Sequence, residues 1–210
     1  LSSLNLLVAD SELWAEYESV VLGRTASPDA ARDNSDTGVS AGMLQEQIKR
    51  LKNKGTALAV FAPRGMGLHS WNGDSKKRTQ IRRRFQLIGT TADAMRVWDI
   101  RRAVQVLRQQ VGDKVRLHLV GSGTNAWLAA AAAVVLDSDI ESARLTNLSD
   151  DRDQRPVFLN ADRSFTPSEL LALAVHRTDV VTFGAADGLI KSVARLAQDA
   201  QWGGGDFTVK

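Results

Sequence analysis

The chain has 210 residues, of which 43% are hydrophobic and 24% are charged, as expected for an ordinary globular protein with one sizeable core. Its formal net charge of +3 is small for this length and does not by itself indicate a polyanionic partner. It contains no cysteine, which excludes disulfides and thiolate metal sites and leaves the compartment open. The longest apolar run, 126–136, is too short to span a bilayer and fits a buried helix.

Short apolar runs rich in Val, Leu and Phe alternate with helical patterns along the chain. We predict that these runs are parallel strands joined by helical crossovers. The predicted architecture is a three-layer α/β/α sandwich with a mostly parallel sheet, in a single domain over residues 1–210. The predicted strands are 4–9, 57–62, 115–120, 143–148, 157–160 and 180–183.

The segments between these runs are predicted to be helices and loops. Residues 42–54 have a helical pattern, and residues 91–109 have one apolar stripe with arginines on the other faces. The polar segment 24–40 is predicted to be a surface loop, and the tail 203–210 an exit segment. The chain opens without an initiator methionine or a basic signal region, so we expect it to be a C-terminal piece of a longer protein.

The segment 55–71 is predicted to be a strand followed by the loop Pro-Arg-Gly-Met-Gly. We expect Arg64 to satisfy loop carbonyls rather than to contact a substrate. His69 and Trp71 follow in the same loop and are candidates, with Arg64, for the wall of a cleft. For His69 the alternative is an ordinary solvated loop histidine.

A basic run follows at 75–85, with Trp71 and Phe85 close to it in sequence. Clustered Lys and Arg with aromatic neighbours can grip phosphates or an acidic polysaccharide. The alternative is a solvated face in a loop beside a helix. The small net charge argues against nucleic acid as the partner.

A glycine turn between a predicted strand and an apolar helix, at 117–133, has two possible chemical uses. One is a dinucleotide-binding turn of the G-x-G-x-x-A kind, formed by Gly121, Gly123 and Ala126, with Asp150 holding a ribose hydroxyl. Its position argues against this use, because such a turn normally follows the first strand of its unit.

The other use is the elbow that carries a hydrolase nucleophile, which needs small neighbours because the turn is strained. In that register Gly121 opens the turn, Ser122 is one residue early, and Gly123 occupies the nucleophile position. A shift that puts Ser122 at the apex would place β-branched Val120 at a small position. A third interpretation is that the glycines only permit a tight connection onto a buried helix.

Two further stretches carry a family resemblance. The loop with Arg64, and the segment 81–107 with its Gly-Thr turn and a Trp-Asp pair followed by Arg102, resemble α/β-hydrolases of the dienelactone hydrolase and acetyl xylan esterase type. The resemblance covers residues 4–198 and implies that fold from its third strand onward. The chain also resembles the C-terminal hydrolase-like domain of acetyl xylan esterase-like proteins, where the elbow is likewise centred on glycine. Spacing of one helical turn also predicts an Asp99–Arg102 pair.

A hydrolase needs an acid after a late strand and a histidine after the last one. Asp162 falls near the place of the acid, but the loop after 180–183 contains no histidine. We expect His69 in a loop, His118 in a strand and His176 at the end of a helix.

The sequence therefore predicts a catalytically degenerate hydrolase domain that supports or positions a catalytic domain upstream in the same chain, or a homodimer partner. A polysaccharide is a further candidate ligand, and no metal, cofactor or membrane is implied. Two alternatives stay open: an active serine esterase using Ser122 and Asp162, and a dinucleotide-binding domain using the glycine turn.

Overall fold

The computed structural model describes residues 1–23, 43–50, 55–71, 74–136, 139–201 and 207–209, so the predicted surface loop 24–40 lies outside the described residues. Parallel strands form a six-stranded sheet with β2 at one edge and β6 at the other, in the order β2-β1-β3-β4-β5-β6. The strands are β1 (Ser3–Val8), β2 (Thr56–Phe61), β3 (Arg116–Ser122), β4 (Ser142–Thr146), β5 (Asp179–Phe183) and β6 (Phe207–Val209).

Helices cover both faces of this sheet, which confirms the predicted three-layer architecture. They are α1 (Ser11–Val20), α2 (Met43–Arg50), α3 (Ser75–Leu87), α4 (Ala92–Val111), α5 (Thr124–Val135), α6 (Ala161–Ser164), α7 (Pro167–Arg177) and α8 (Asp187–Asp199). Among the described residues, none of the helices combines the length and the apolar character needed to cross a bilayer.

Successive side chains of β1 point to opposite faces of the sheet, which explains why there are two hydrophobic clusters. Leu7 faces the smaller cluster with Leu13 of α1 and Leu44 of α2, whereas Leu6 faces the larger one. The larger cluster contains residues of α4, α5, α7 and α8. The sheet is therefore packed between α1 and α2 on one side and the longer helical layer on the other.

The strand order places a topological switch point between β1 and β3. The crossover from β1 leads to β2 on one side, and the later strands add on the other side, starting with β3. In open α/β sheets, ligands bind in the crevice outside the carboxyl ends of the strands at such a point. The glycine turn at the end of β3 lies beside this crevice.

The prediction of a strand at 157–160 was wrong. The amide of Val157 donates to the Asp93 carboxylate of α4 at 2.8 Å, and Asn160 has a φ of 59°, which breaks an extended run. Phe158 packs against the core, whereas Val157 and Leu159 are 58% and 48% exposed. The three apolar residues 157–159 resemble a buried strand in composition, but composition does not reveal that two of them face solvent.

The prediction for the tail was also wrong at residues 207–209. These residues form β6, which pairs in parallel with β5, and Phe207 packs against the larger cluster. A strand of three residues is too short to show an alternating pattern in the sequence. Its formation depends on the partner strand that the fold supplies.

The histidine predicted to lie in a strand, His118, does lie in β3 and is buried there. Its Nδ1 atom is 2.8 Å from the Ser142 hydroxyl oxygen on β4. Burial, together with the positive charges of Arg144 and Arg116, lowers the pKa of His118 to about 4. The folded protein therefore holds this imidazole neutral.

We expect the free energy of unfolding to fall as the pH drops from 6.5 to about 4, because His118 binds a proton in the unfolded chain before it does so in the folded one. The stability lost through His118 alone approaches about 3 kcal/mol at the acid end of this range. The variant His118→Gln cannot titrate and should lack it. Urea unfolding of both proteins across this range measures the effect, and a wild-type minus variant difference that does not change with pH would contradict it.

Candidate functional site

The turn after β3 contains two glycines with different structural roles. A Cβ on Gly121 would lie 2.5 Å from the carbonyl oxygen of Asn125 in α5, so this glycine permits close packing of the helix on the strand. Gly123 caps α5 with φ 55° and ψ −128°, outside the regions that L-residues favour. A Cβ built on Gly123 would meet nothing within 4 Å. The crest of the bend therefore belongs to Gly123 and faces open space.

Ser122 lies one residue before this crest and is 5% exposed. Its hydroxyl oxygen accepts a long hydrogen bond from the Asn147 side-chain amide, at 3.5 Å. Asn147 follows β4 and has a φ of 55°. The hydroxyl is thus engaged with the end of the neighbouring strand rather than presented at the crest.

The histidines lie away from this hydroxyl. His118 is four residues earlier on the same strand, a separation of about 13 Å at the rise of a β-strand. His176 is near the end of α7, immediately before β5 begins, and therefore at the amino edge of the sheet. His69 is exposed and lines a groove on β2, two strands away in the sheet order. A general base must come within about 3 Å of the proton that it takes.

Asp162, the candidate acid, lies in α6 rather than after a strand, and its side chain is outside the described part of the structure. Its catalytic role stays a prediction, as does that of Ser122. Among the described residues, no group of three His, Cys, Asp or Glu side chains could hold a metal ion.

Two backbone amides of the turn are already bonded within the protein and are therefore not free to bind a phosphate. The Gly123 amide donates to the carbonyl oxygen of Thr146 at 3.0 Å, and the Ala126 amide donates to that of Gly123 at 3.1 Å. Asn125 is buried between α5 and the end of β1, where its Nδ2 donates to the Val8 carbonyl oxygen at 3.4 Å. Its Oδ1 has no hydrogen-bond partner among the described residues. A buried acceptor at the switch point disfavours an anion there.

Arg64 is held by a carboxylate rather than by loop carbonyls. Its Nε and Nη2 donate to the Asp99 carboxylate of α4 at 2.7 and 2.5 Å, and its backbone amide donates to the same group at 3.1 Å. The predicted pair of Asp99 with Arg102 was wrong, because Arg102 donates to Gln105 instead. Spacing along a helix predicted a local pair, whereas the loop after β2 supplied a better donor.

Trp71 belongs to a packed cluster and not to the groove. Its ring lies 2.6 Å from where a Cβ on Gly65 would stand, and it stacks on Phe85 of α3 at 6.0 Å between centroids. Arg96 of α4 lies over the Trp71 ring at 5.4 Å and donates to the Arg64 carbonyl oxygen at 3.1 Å. Burial lowers the pKa of Arg96. The sequence pattern does not single out Arg96, because it is one of several arginines beside the apolar stripe.

Arg64 and His69, two of the three residues predicted to form a cleft wall, do line one groove. The groove is open, has a volume of about 600 Å³, and lies between β2 and α4. Ala59, Phe61 and Val106 supply much of its apolar wall, with Asp99 and Arg102 at its charged side. The structure thus separates the groove from the turn at Gly123, since β1 lies between β2 and β3.

The basic run 75–85 forms most of α3, which corrects the prediction of a loop. No described residue of this helix is buried, and Phe85 contacts Trp71. The interpretation as a solvated face and that as a polyanion-binding surface both remain predictions.

No protein-family model matches the chain, and no curated protein matches its sequence. The function must therefore be inferred from the geometry of the turn, the groove and the contacts around them.

We expect Gly121→Ala to lower the free energy of unfolding by about 3 kcal/mol, because the new methyl group would meet the backbone of α5. Gly123→Ala should cost about 1–2 kcal/mol, from backbone strain alone. Gly188→Ala is the matched control, since Gly188 lies in α8 with open space around it and no positive φ. Urea unfolding of the three variants measures this order, and equal losses for Gly121→Ala and Gly188→Ala would contradict it.

Proposed function

We propose that this chain is a non-catalytic domain of α/β-hydrolase type from an acetyl xylan esterase-like protein, which supports or positions a catalytic partner. The observation that carries the proposal is the crest at Gly123, a position with open space in front of it and no side chain to react. The turn follows β3, a middle strand of the sheet, as the elbow interpretation requires.

The surroundings of the crest support the same proposal. Of the two hydroxyls adjacent to the crest in sequence, Ser122 is buried and bonded to Asn147, and Thr124 donates to the Gln154 carbonyl oxygen. His118 shares its strand but lies about 13 Å away along it. The active-esterase alternative would need Ser122 to move to the crest and a base to approach it. The dinucleotide alternative would need the Gly123 amide to leave the Thr146 carbonyl oxygen.

The open groove between β2 and α4 is the surface we assign to the partner domain. Its wall is largely apolar, β2 is one of the two edge strands of the described sheet, and Val106 in the wall is 50% exposed. Edge strands and exposed apolar grooves are surfaces that folded domains normally cover. The Arg64–Asp99 pair at the rim offers polar contacts beside the apolar wall.

We expect the protein to hydrolyse neither p-nitrophenyl acetate nor acetylated xylan above the background rate, because no reactive group stands at the crest. A fluorophosphonate probe should leave it unlabelled. Ser122→Ala is the control and should behave in the same way. Turnover or labelling that disappears in Ser122→Ala would overturn the proposal and establish the esterase alternative.

The supporting role predicts that Val106→Asp weakens association with the catalytic domain at least about tenfold, since a charge would enter the apolar groove. Leu87→Asp is the matched control, because Leu87 is 85% exposed at the end of α3 and does not line the groove. Sedimentation of the two domains, produced separately and mixed, measures the association. An unchanged association in Val106→Asp would remove the groove as the docking surface.

A further inference from the structure

A smaller cavity, of about 110 Å³, lies between α5, α7 and the segment that follows β4. No sequence motif marks it. Polar and apolar groups contribute about equally to its walls, and two arginines of the segment after β4 line it. Prominent among the lining residues are Trp127, Arg152, Arg155, Phe158, Phe165 and Leu170.

Arg155 brings an unsatisfied donor to this cavity. Its Nε atom is buried and has no hydrogen-bond partner among the described residues. A buried donor without a partner is costly, and the cost is larger for a charged group. Arg155 also lines the cavity, so its guanidinium is the charged group that an acidic occupant would meet there.

The segment that forms the cavity is fixed from several sides. The Thr124 hydroxyl of α5 donates to the Gln154 carbonyl oxygen at 3.0 Å, and the Val157 amide donates to Asp93 of α4 at 2.8 Å. The Trp127 indole donates to the Ser149 carbonyl oxygen at 3.1 Å, so its own donor is already used. The walls are therefore organised before any ligand enters, which reduces the entropy lost on binding.

We propose that this cavity binds the carboxylate of a small organic acid, with the Arg155 guanidinium as its anchor. The planar guanidinium fork matches a carboxylate. Phosphate has charged oxygens on all sides and would lose hydration against Trp127 and Phe165, whereas a carboxylic acid can turn an apolar end toward them. The volume is below that of sites for drug-sized ligands, which limits the occupant to a few carbon atoms. This site is independent of the proposed supporting function.

Titration of the ¹⁵N-labelled protein with propionate tests the proposal. We expect saturable binding, with movement of the Arg155 Nε–H and Trp127 indole signals, and no response to propionamide, which lacks the charge. Arg155→Gln should weaken binding at least about tenfold, as the loss of a charge-assisted hydrogen bond implies. Arg163→Gln removes the same charge from an exposed position on α6 and should bind as the wild type does.

The signals of Arg155 and Trp127 are read in the wild-type protein, so the test does not depend on the folding of a variant. Absence of saturable propionate binding at millimolar concentration would overturn the proposal and would mean that water satisfies Arg155. Equal binding by Arg155→Gln and the wild type would overturn it as well. Inorganic phosphate binding as tightly as propionate would exclude selection for a carboxylate.

Discussion

The close approach of α5 to β3 at Gly121 is the constraint on which the centre of the structure depends. The backbone of Asn125 lies where any larger residue at Gly121 would place its Cβ. The helix continues as an unbroken alanine run at 129–133, all of it buried, so the short distance to the sheet is kept along its length. Helices α4 and α7 pack against the two sides of α5. A wider spacing at Gly121 would disturb that whole layer, because a close-packed interior does not absorb extra volume.

This packing explains why a glycine suits the bend after β3. The bend after β3 is needed to bring α5 down onto the sheet, whatever residue occupies its crest. An L-residue at the crest would carry the strain of φ 55° and ψ −128°, and an enzyme accepts such strain because the nucleophile must stand there. Glycine removes most of that strain. Gly123 therefore favours folding at a position where any other residue would be strained.

The sequence predicted those parts of the fold that depend on local pattern. The first four predicted strands correspond closely to β1 to β4, and 180–183 to β5, because buried parallel strands form dense apolar runs. Features fixed by distant partners escaped prediction: β6 needs β5 beside it, and 157–160 is held by Asp93 instead of by a strand. Likewise, Asp99 pairs with Arg64 across 35 positions, and no spacing rule along a helix anticipates that contact. At the candidate site, the small residues of the glycine turn are enough to predict the turn from sequence. The cavity at Arg155 could not be predicted, because it depends on how the segment after β4 folds back.

Turnover and binding make different demands on the carboxyl edge of the sheet. Turnover needs a nucleophile, a base and donors aimed at a developing charge. Binding needs only a shaped wall and a few fixed polar groups. Arg64 lies in the loop after β2 and pairs with Asp99 of α4. Arg155 lies in the segment after β4. In the sheet, β3 with the crest at Gly123 lies between β2 and β4. The groups suited to recognition are thus held on either side of a position that has no side chain. These groups do not depend on which residue occupies the crest, because none of their contacts passes through it.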